Sequence, residues 1–79
     1  MSSEVNIERF ILDELLMGSR ESIGHDESLI SSGVIDSLAL LRLIGFVEDS
    51  YGVVLEDEEV VAENFETINV IAALVQNKQ

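Results

Sequence analysis

The run Asp36-Ser37-Leu38 sets a primary hydroxyl between a glycine-marked turn, "SSGVI", and an aliphatic stretch that reads as a helix. At a helix start the backbone N–H groups are unpaired and the dipole is positive, so a phosphate ester on Ser37 would be well placed. The ordinary alternative makes Ser37 only part of the helix cap, and spacing alone does not decide between the two. A third chemistry would use Ser37 as a nucleophile with His25 as its base. Ile35 and Ala39 argue against it, because they stand where a nucleophile elbow carries glycine, and His25 is then expected to be a solvated loop residue. The acidic run Glu56-Asp57-Glu58-Glu59 does not read as a calcium loop, since its carboxylates are consecutive and lack alternating ligands and a central glycine. It suits the first turn of a helix, where acids complement the dipole. With no cysteine and His25 as the one histidine, the chain offers no disulfide, no thiol nucleophile and no material for a zinc cluster.

The elements that must hold the hydroxyl follow from periodicity. A chain of 79 residues is expected to form one domain, 1–79, around one modest core. Hydrophobic residues make up 47% but aromatics only 5%, so that core is aliphatic, and the absence of proline suits helices joined by polar loops. A first helix is expected over about 4–17, with Ile7, Ile11 and Leu15 on one face beside Leu12 and Leu16, Asn6, Arg9 and Asp13 opposite, Ser3 as N-cap and Gly18 as its stop. Residues 19–36 have no sustained period and form a long loop, pinned to the core by Ile23, Leu29, Ile30, Val34 and Ile35. Asp36 caps a second helix over about 37–50, whose buried face is Leu40, Leu43, Ile44, Val47 and Tyr51. Its outer row is Leu38, Arg42, Gly45 and Asp49. Leu38 is then exposed, and Gly45 costs about 1 kcal/mol relative to alanine in an exposed helix interior. Asp57 is expected to cap a short third helix to Ala62, bringing Val60 and Val61 to the core, and Thr67 to cap a last helix over about 67–76. A strand at 53–55 would have no partner. The expected fold class is therefore all-α, four helices with a long first loop.

Charge limits the partners. Sixteen acidic against four basic residues give a net charge of -12, which repels nucleic acid phosphates and anionic lipid and leaves a basic protein surface as the natural counterpart. No apolar run approaches membrane-spanning length and the first residues lack a signal-peptide pattern, so a cytoplasmic monomer is expected.

At this point "GVIDSLALLRLIGFVEDSYGVVLEDEEVVAENFETI" resembles the acyl carrier protein family. The glycine, Asp-Ser-Leu, apolar helix, acidic-aromatic-glycine end, acidic turn and "NFxT" stand in family order over about residues 5–76. The resemblance implies an acyl-carrier-type four-helix bundle. It implies that Ser37, with Asp36 and Leu38 as motif neighbours, receives 4'-phosphopantetheine from coenzyme A through a separate phosphopantetheinyl transferase. The arm's thiol would carry an acyl or aminoacyl group as a thioester, and the carrier itself would do no chemistry. The implied partners are an acyl- or aminoacyl-loading ligase and downstream biosynthetic enzymes with basic docking patches. Leu38, Arg42, Gly45 and Asp49 would meet them at short range, while Glu56, Asp57, Glu58 and Glu59 steer approach. Two features differ from carriers of fatty acid synthesis: the second helix is less acidic, and "GVIDSL" puts two residues between glycine and aspartate. Both point to a freestanding carrier of a specialised pathway. An aminoacyl or peptidyl carrier for an adenylating ligase is the close alternative, and an acidic interaction module that carries nothing is the distant one. Val47, Val60, Val61, Phe65 and Ile68 have the character of a cargo cavity, but ordinary core packing explains them without one.

Overall fold

The computed structural model describes residues 3–79, and the described residues form three α-helices and no strand. Helix α1 runs Ser3–Phe10 and continues as a π-helical turn, Ile11–Leu15. Ile7 and Ile11 are fully buried, and Leu12, Leu15 and Leu16 pack against the core at its margin, so the expected apolar face is the one the helix uses. Ser3 lies within the helix as its first residue. The expected stop is displaced: the regular winding ends at Leu15, with the Leu16 N–H donating to the Ile11 carbonyl five residues back and the Gly18 N–H to that of Leu12. Met17 and Gly18 then both take left-handed backbone, φ 53° and 78°. Only glycine adopts this without a Cβ penalty, so Met17 carries the local strain.

Helix α2, Ser37–Tyr51, starts at the expected cap and ends one residue past the expected 50. Asp36 is extended (φ -94°, ψ -174°) and its Oδ1 accepts the Ala39 N–H at 2.8 Å, while Gly52 closes the helix in left-handed geometry and donates to the Glu48 carbonyl. Leu43 and Val47 are fully buried, with Leu40, Ile44 and Tyr51 half-buried beside them. Phe46 stacks on Phe10 of α1 at 4.2 Å between ring centroids and meets Tyr51 edge-on. Helix α3, Ile68–Lys78, is capped by Thr67, whose side chain accepts the Val70 N–H at 3.1 Å, and it buries Ile68, Ile71, Ala72 and Val75 chiefly against α1.

The expected third helix does not form, which corrects the four-helix count. Residues 57–62 hold a 3-10 turn, Asp57–Glu59, and a second one follows at Ala62–Asn64. Val61 between them is extended (φ -127°, ψ 153°). A pair of β-branched residues resists helical χ1 values, and a segment this short cannot repay the cost of nucleation. The cap also moves by one residue: Glu56 precedes the first turn, and its N–H donates to the Glu59 carboxylate at 2.9 Å. Val60 packs half-buried against the core, whereas Val61 is exposed.

The long loop, residues 16–36, is folded onto the helices. Ile23, Leu29 and Ile35 are buried, and Ile30 and Val34 pack against the core, as their apolar character implied. Polar ties fix its path. Glu8 of α1 accepts the Ile23 N–H and a bond with His25 Nε2 at 2.8 Å, while the His25 carbonyl accepts the Asn69 N–H at the start of α3. His25 is therefore a half-buried strut between elements, not a solvated residue.

Candidate functional site

The loop's second half determines where Ser37 stands. Leu29 is inserted in the core, and its N–H donates to the Glu66 carbonyl at 2.7 Å. The Ile35 N–H returns to the Leu29 carbonyl at 3.0 Å, and Gly33, at φ 82°, turns the chain between them with its N–H on the Ile30 carbonyl. With Ile35 buried, the next residue emerges at the surface in the extended conformation that a cap needs. Asp36 fills that role. Ser37 is consequently the first helical residue and exposed, and its hydroxyl makes no hydrogen bond among the described residues. The hydroxyl is left unengaged because the neighbouring carboxylate does the capping.

Glu66 locks this arrangement from the other side. Its carboxylate accepts Ser28 Oγ at 2.5 Å, Ser31 Oγ at 2.7 Å and the backbone N–H groups of Ile30 and Ser31, both at 3.1 Å. These bonds, the Ser28 hydroxyl first, hold the carboxyl down at about 2 against an ordinary 4.5. A depressed folded-state pKa means stability that is complete above about pH 4.5 and lost as pH falls toward 2. Glu66→Gln is therefore expected to flatten the acid limb of the unfolding midpoint in that window. Urea titrations at several pH values would check it. An unchanged acid limb would remove Glu66 as its source.

The outer face of α2 carries two exposed leucines in its first two turns, Leu38 at 74% and Leu41 at 64% exposure. Sequence reasoning singled out Leu38 and missed Leu41, although three residues on a helix place the two about 60° apart. Arg42 is half-exposed and donates from Nη1 to the Glu14 carbonyl at 3.2 Å, with Nη2 at 3.8 Å from the Glu14 carboxylate. It satisfies a carbonyl left open at the end of the π turn. At Gly45 an added Cβ would meet nothing within 4 Å, so packing does not demand glycine there. Asp49, Glu56, Asp57 and Glu58 are exposed. Glu59 is partly buried and engaged: Lys78 bonds its carboxylate at 2.7 Å, which with the Glu56 N–H lowers its pKa. Asp36, Ser37, Leu38 and Leu41 thus form one continuous surface at the start of α2, while the acidic run lies on the segment that follows the helix. Among the described residues no group of acids, histidines or cysteines could hold a metal ion, and no helix is long and apolar enough to cross a membrane.

A 4'-phosphopantetheine ester fits the residues present. Ser37 is exposed at the first position of α2, where the helix's first N–H groups favour an anionic group, and a shallow groove of about 350 Å³ opens next to it. No curated protein matches the chain. A family model, phosphopantetheine attachment site, matches residues 9–75, which take in the loop, the exposed serine and all of α2. The chain therefore belongs to the phosphopantetheine-attachment family, whose covalent cofactor is 4'-phosphopantetheine.

Proposed function

We propose that the protein is a freestanding carrier of acyl or aminoacyl groups, with Ser37 as the residue that bears the arm. The observation that carries this reading is the exposed, unengaged Ser37 hydroxyl at the first position of α2, within a chain of the attachment family. When bound, the arm supplies the thiol that this cysteine-free chain lacks and holds the cargo as a thioester. The protein's own residues hold and present that tether. The rigid start of α2, capped by Asp36 and backed by the Glu66 latch, keeps the attachment oxygen in one place. Tethering raises the local concentration of cargo at a partner's active site without requiring tight protein contact.

Transferases and cargo-processing enzymes must all approach Ser37, so the surface around it is shared. Leu38 and Leu41 offer apolar contact beside the tether, and Gly45 leaves room for a partner's backbone. Arg42 and Asp49 edge that contact. Glu56, Asp57 and Glu58 add long-range attraction for a basic surface, with Glu59 contributing less because Lys78 neutralises it. The test is direct. Apo protein, coenzyme A and a promiscuous phosphopantetheinyl transferase are expected to yield one added arm by intact mass, on a peptide containing Ser37. An unmodified chain under conditions that load a control carrier would leave an acidic interaction module as the better reading.

A further inference from the structure

Where α1 runs against α2, a groove of about 360 Å³ opens toward the end of α2 that lies away from Ser37. Phe10 and Phe46, stacked at 4.2 Å, and Tyr51, edge-on to Phe46, give it an apolar lining, and Arg9, Asn6 and Ser50 add polar groups. We infer that this groove binds a small monocarboxylate with a compact apolar body, an aromatic ring in the simplest case. The inference is independent of the carrier reading. Phe46 lies nine residues beyond Ser37, about 14 Å along the helix, so an occupant leaves the serine hydroxyl uncovered.

Two donors without acceptors belong to residues that line this groove. The chain has four basic residues, and three are paired: Arg20 with Glu27, Arg42 with Glu14 and Lys78 with Glu59. Arg9 is the fourth. It is exposed, makes no hydrogen bond or ion pair among the described residues, and acts at longer range on Glu8. In a chain with sixteen acids, a guanidinium left without a carboxylate is available to one brought from outside. The Tyr51 hydroxyl is the second donor, and among the described residues it is the one buried side-chain polar atom without a hydrogen-bond partner. Such groups are nearly always paired, and an acceptor carried into the groove supplies what this one lacks. The wall itself is irregular. The π turn Ile11–Leu15 starts directly after Phe10 and brings Asp13 and Glu14 to the groove, and π turns within helices are frequent at functional sites.

Size and charge then set the class of ligand. About 360 Å³ lies at the low end of small-molecule sites, room for one ring with a short chain. A ring seated against Phe46 and Tyr51 gains from burial and from the offset or edge-on contacts that aromatic groups prefer, while its carboxylate meets Arg9. The acids nearby fix the number of charges. The Glu14 carboxylate stands 3.8 Å from Arg42, which offsets its field, but Asp13 is exposed and the protein carries a net charge of -12. A second negative group on the ligand is therefore repelled, and one carboxylate is the limit.

The test titrates the full chain, labelled with nitrogen-15, with sodium 3-phenylpropanoate and in parallel with 3-phenylpropanamide and 2-phenylethylammonium chloride at matched ionic strength. Amide chemical shifts report position and affinity. The carboxylate is expected to shift the amides of Arg9, Phe10, Phe46 and Tyr51 saturably, with a dissociation constant of about 1 mM for a ligand of this size. It should bind about tenfold tighter than the neutral amide or the ammonium. Arg9→Gln is expected to weaken the carboxylate about tenfold at unchanged circular dichroism, since Arg9 is exposed, and Tyr51→Phe, which keeps the ring, to weaken it about threefold. Shifts that fail to saturate or that spread over the surface, equal affinity for the amide, tighter binding of the ammonium, or full affinity in either variant overturns the inference. The mass gain at Ser37 is expected to be unchanged at saturating carboxylate, so the carrier reading stands or falls by that measurement and not by this one.

Discussion

Ser37→Ala protein, incubated with coenzyme A and a promiscuous transferase, is expected to stay at its apo mass while the wild type gains one arm completely. The effect is all-or-none because no neighbouring hydroxyl is equivalent. In the same loop Ser28 and Ser31 donate to Glu66, and Ser32 donates to the Ser28 carbonyl at 2.5 Å, so each is committed to the fold. The substitution should be silent in stability. Ser37 is exposed, Asp36 performs the capping, and alanine is the best helix former, so the change should lie within about 0.5 kcal/mol. Asp36→Ala gives the contrast: it loses the bond to the Ala39 N–H and is expected to cost about 1 kcal/mol. Circular dichroism and a urea titration beside the mass measurement separate lost chemistry from lost structure. A full mass gain in Ser37→Ala would place the arm on another residue.

The start of α2 was legible because its signals are local. Asp36 and the aliphatic spacing from Leu40 to Tyr51 lie within one stretch, and each acts through a neighbour three or four residues away. The π turn was not legible, since Ile7, Ile11 and Leu15 repeat every four residues and satisfy an α-helical reading as well as a wider one. The third helix failed on a competing preference: the acids favoured a helical first turn, but Val60 and Val61 follow at once and break it. Glu66 escaped notice because its meaning is tertiary. It bonds residues 35 to 38 positions away in sequence, and nothing in "NFET" marks that reach. Arg42 was read only as part of the outer row, and its bond to Glu14, 28 positions away, escaped for the same reason. The outward spacing that exposed Leu38 applies equally to Leu41, and the i, i+3 rule would have found it.

Leu29→Ala is expected to be the most damaging single substitution in the loop, lowering stability by about 2–5 kcal/mol. A domain of this size holds about 4–12 kcal/mol in total, taking 0.05–0.15 kcal/mol per residue, so the loss removes a large share of it. Leu29 is fully buried although it belongs to a segment without regular structure, and it enters the same core as Phe65 and Ile71. Truncation leaves a cavity that the surroundings cannot easily fill, because the Leu29 N–H is held on Glu66 and its carbonyl on Ile35. The denaturant midpoint should fall with little change in slope if the loop unfolds together with the helices. On the proposed carrier reading, loading at Ser37 should persist at temperatures where the variant is folded, because Leu29 touches the core and not the hydroxyl. Near-native stability in Leu29→Ala would mean that the loop is not part of the cooperative core. In that case the geometry presented to a transferase would be set by the Asp36 cap and α2 alone.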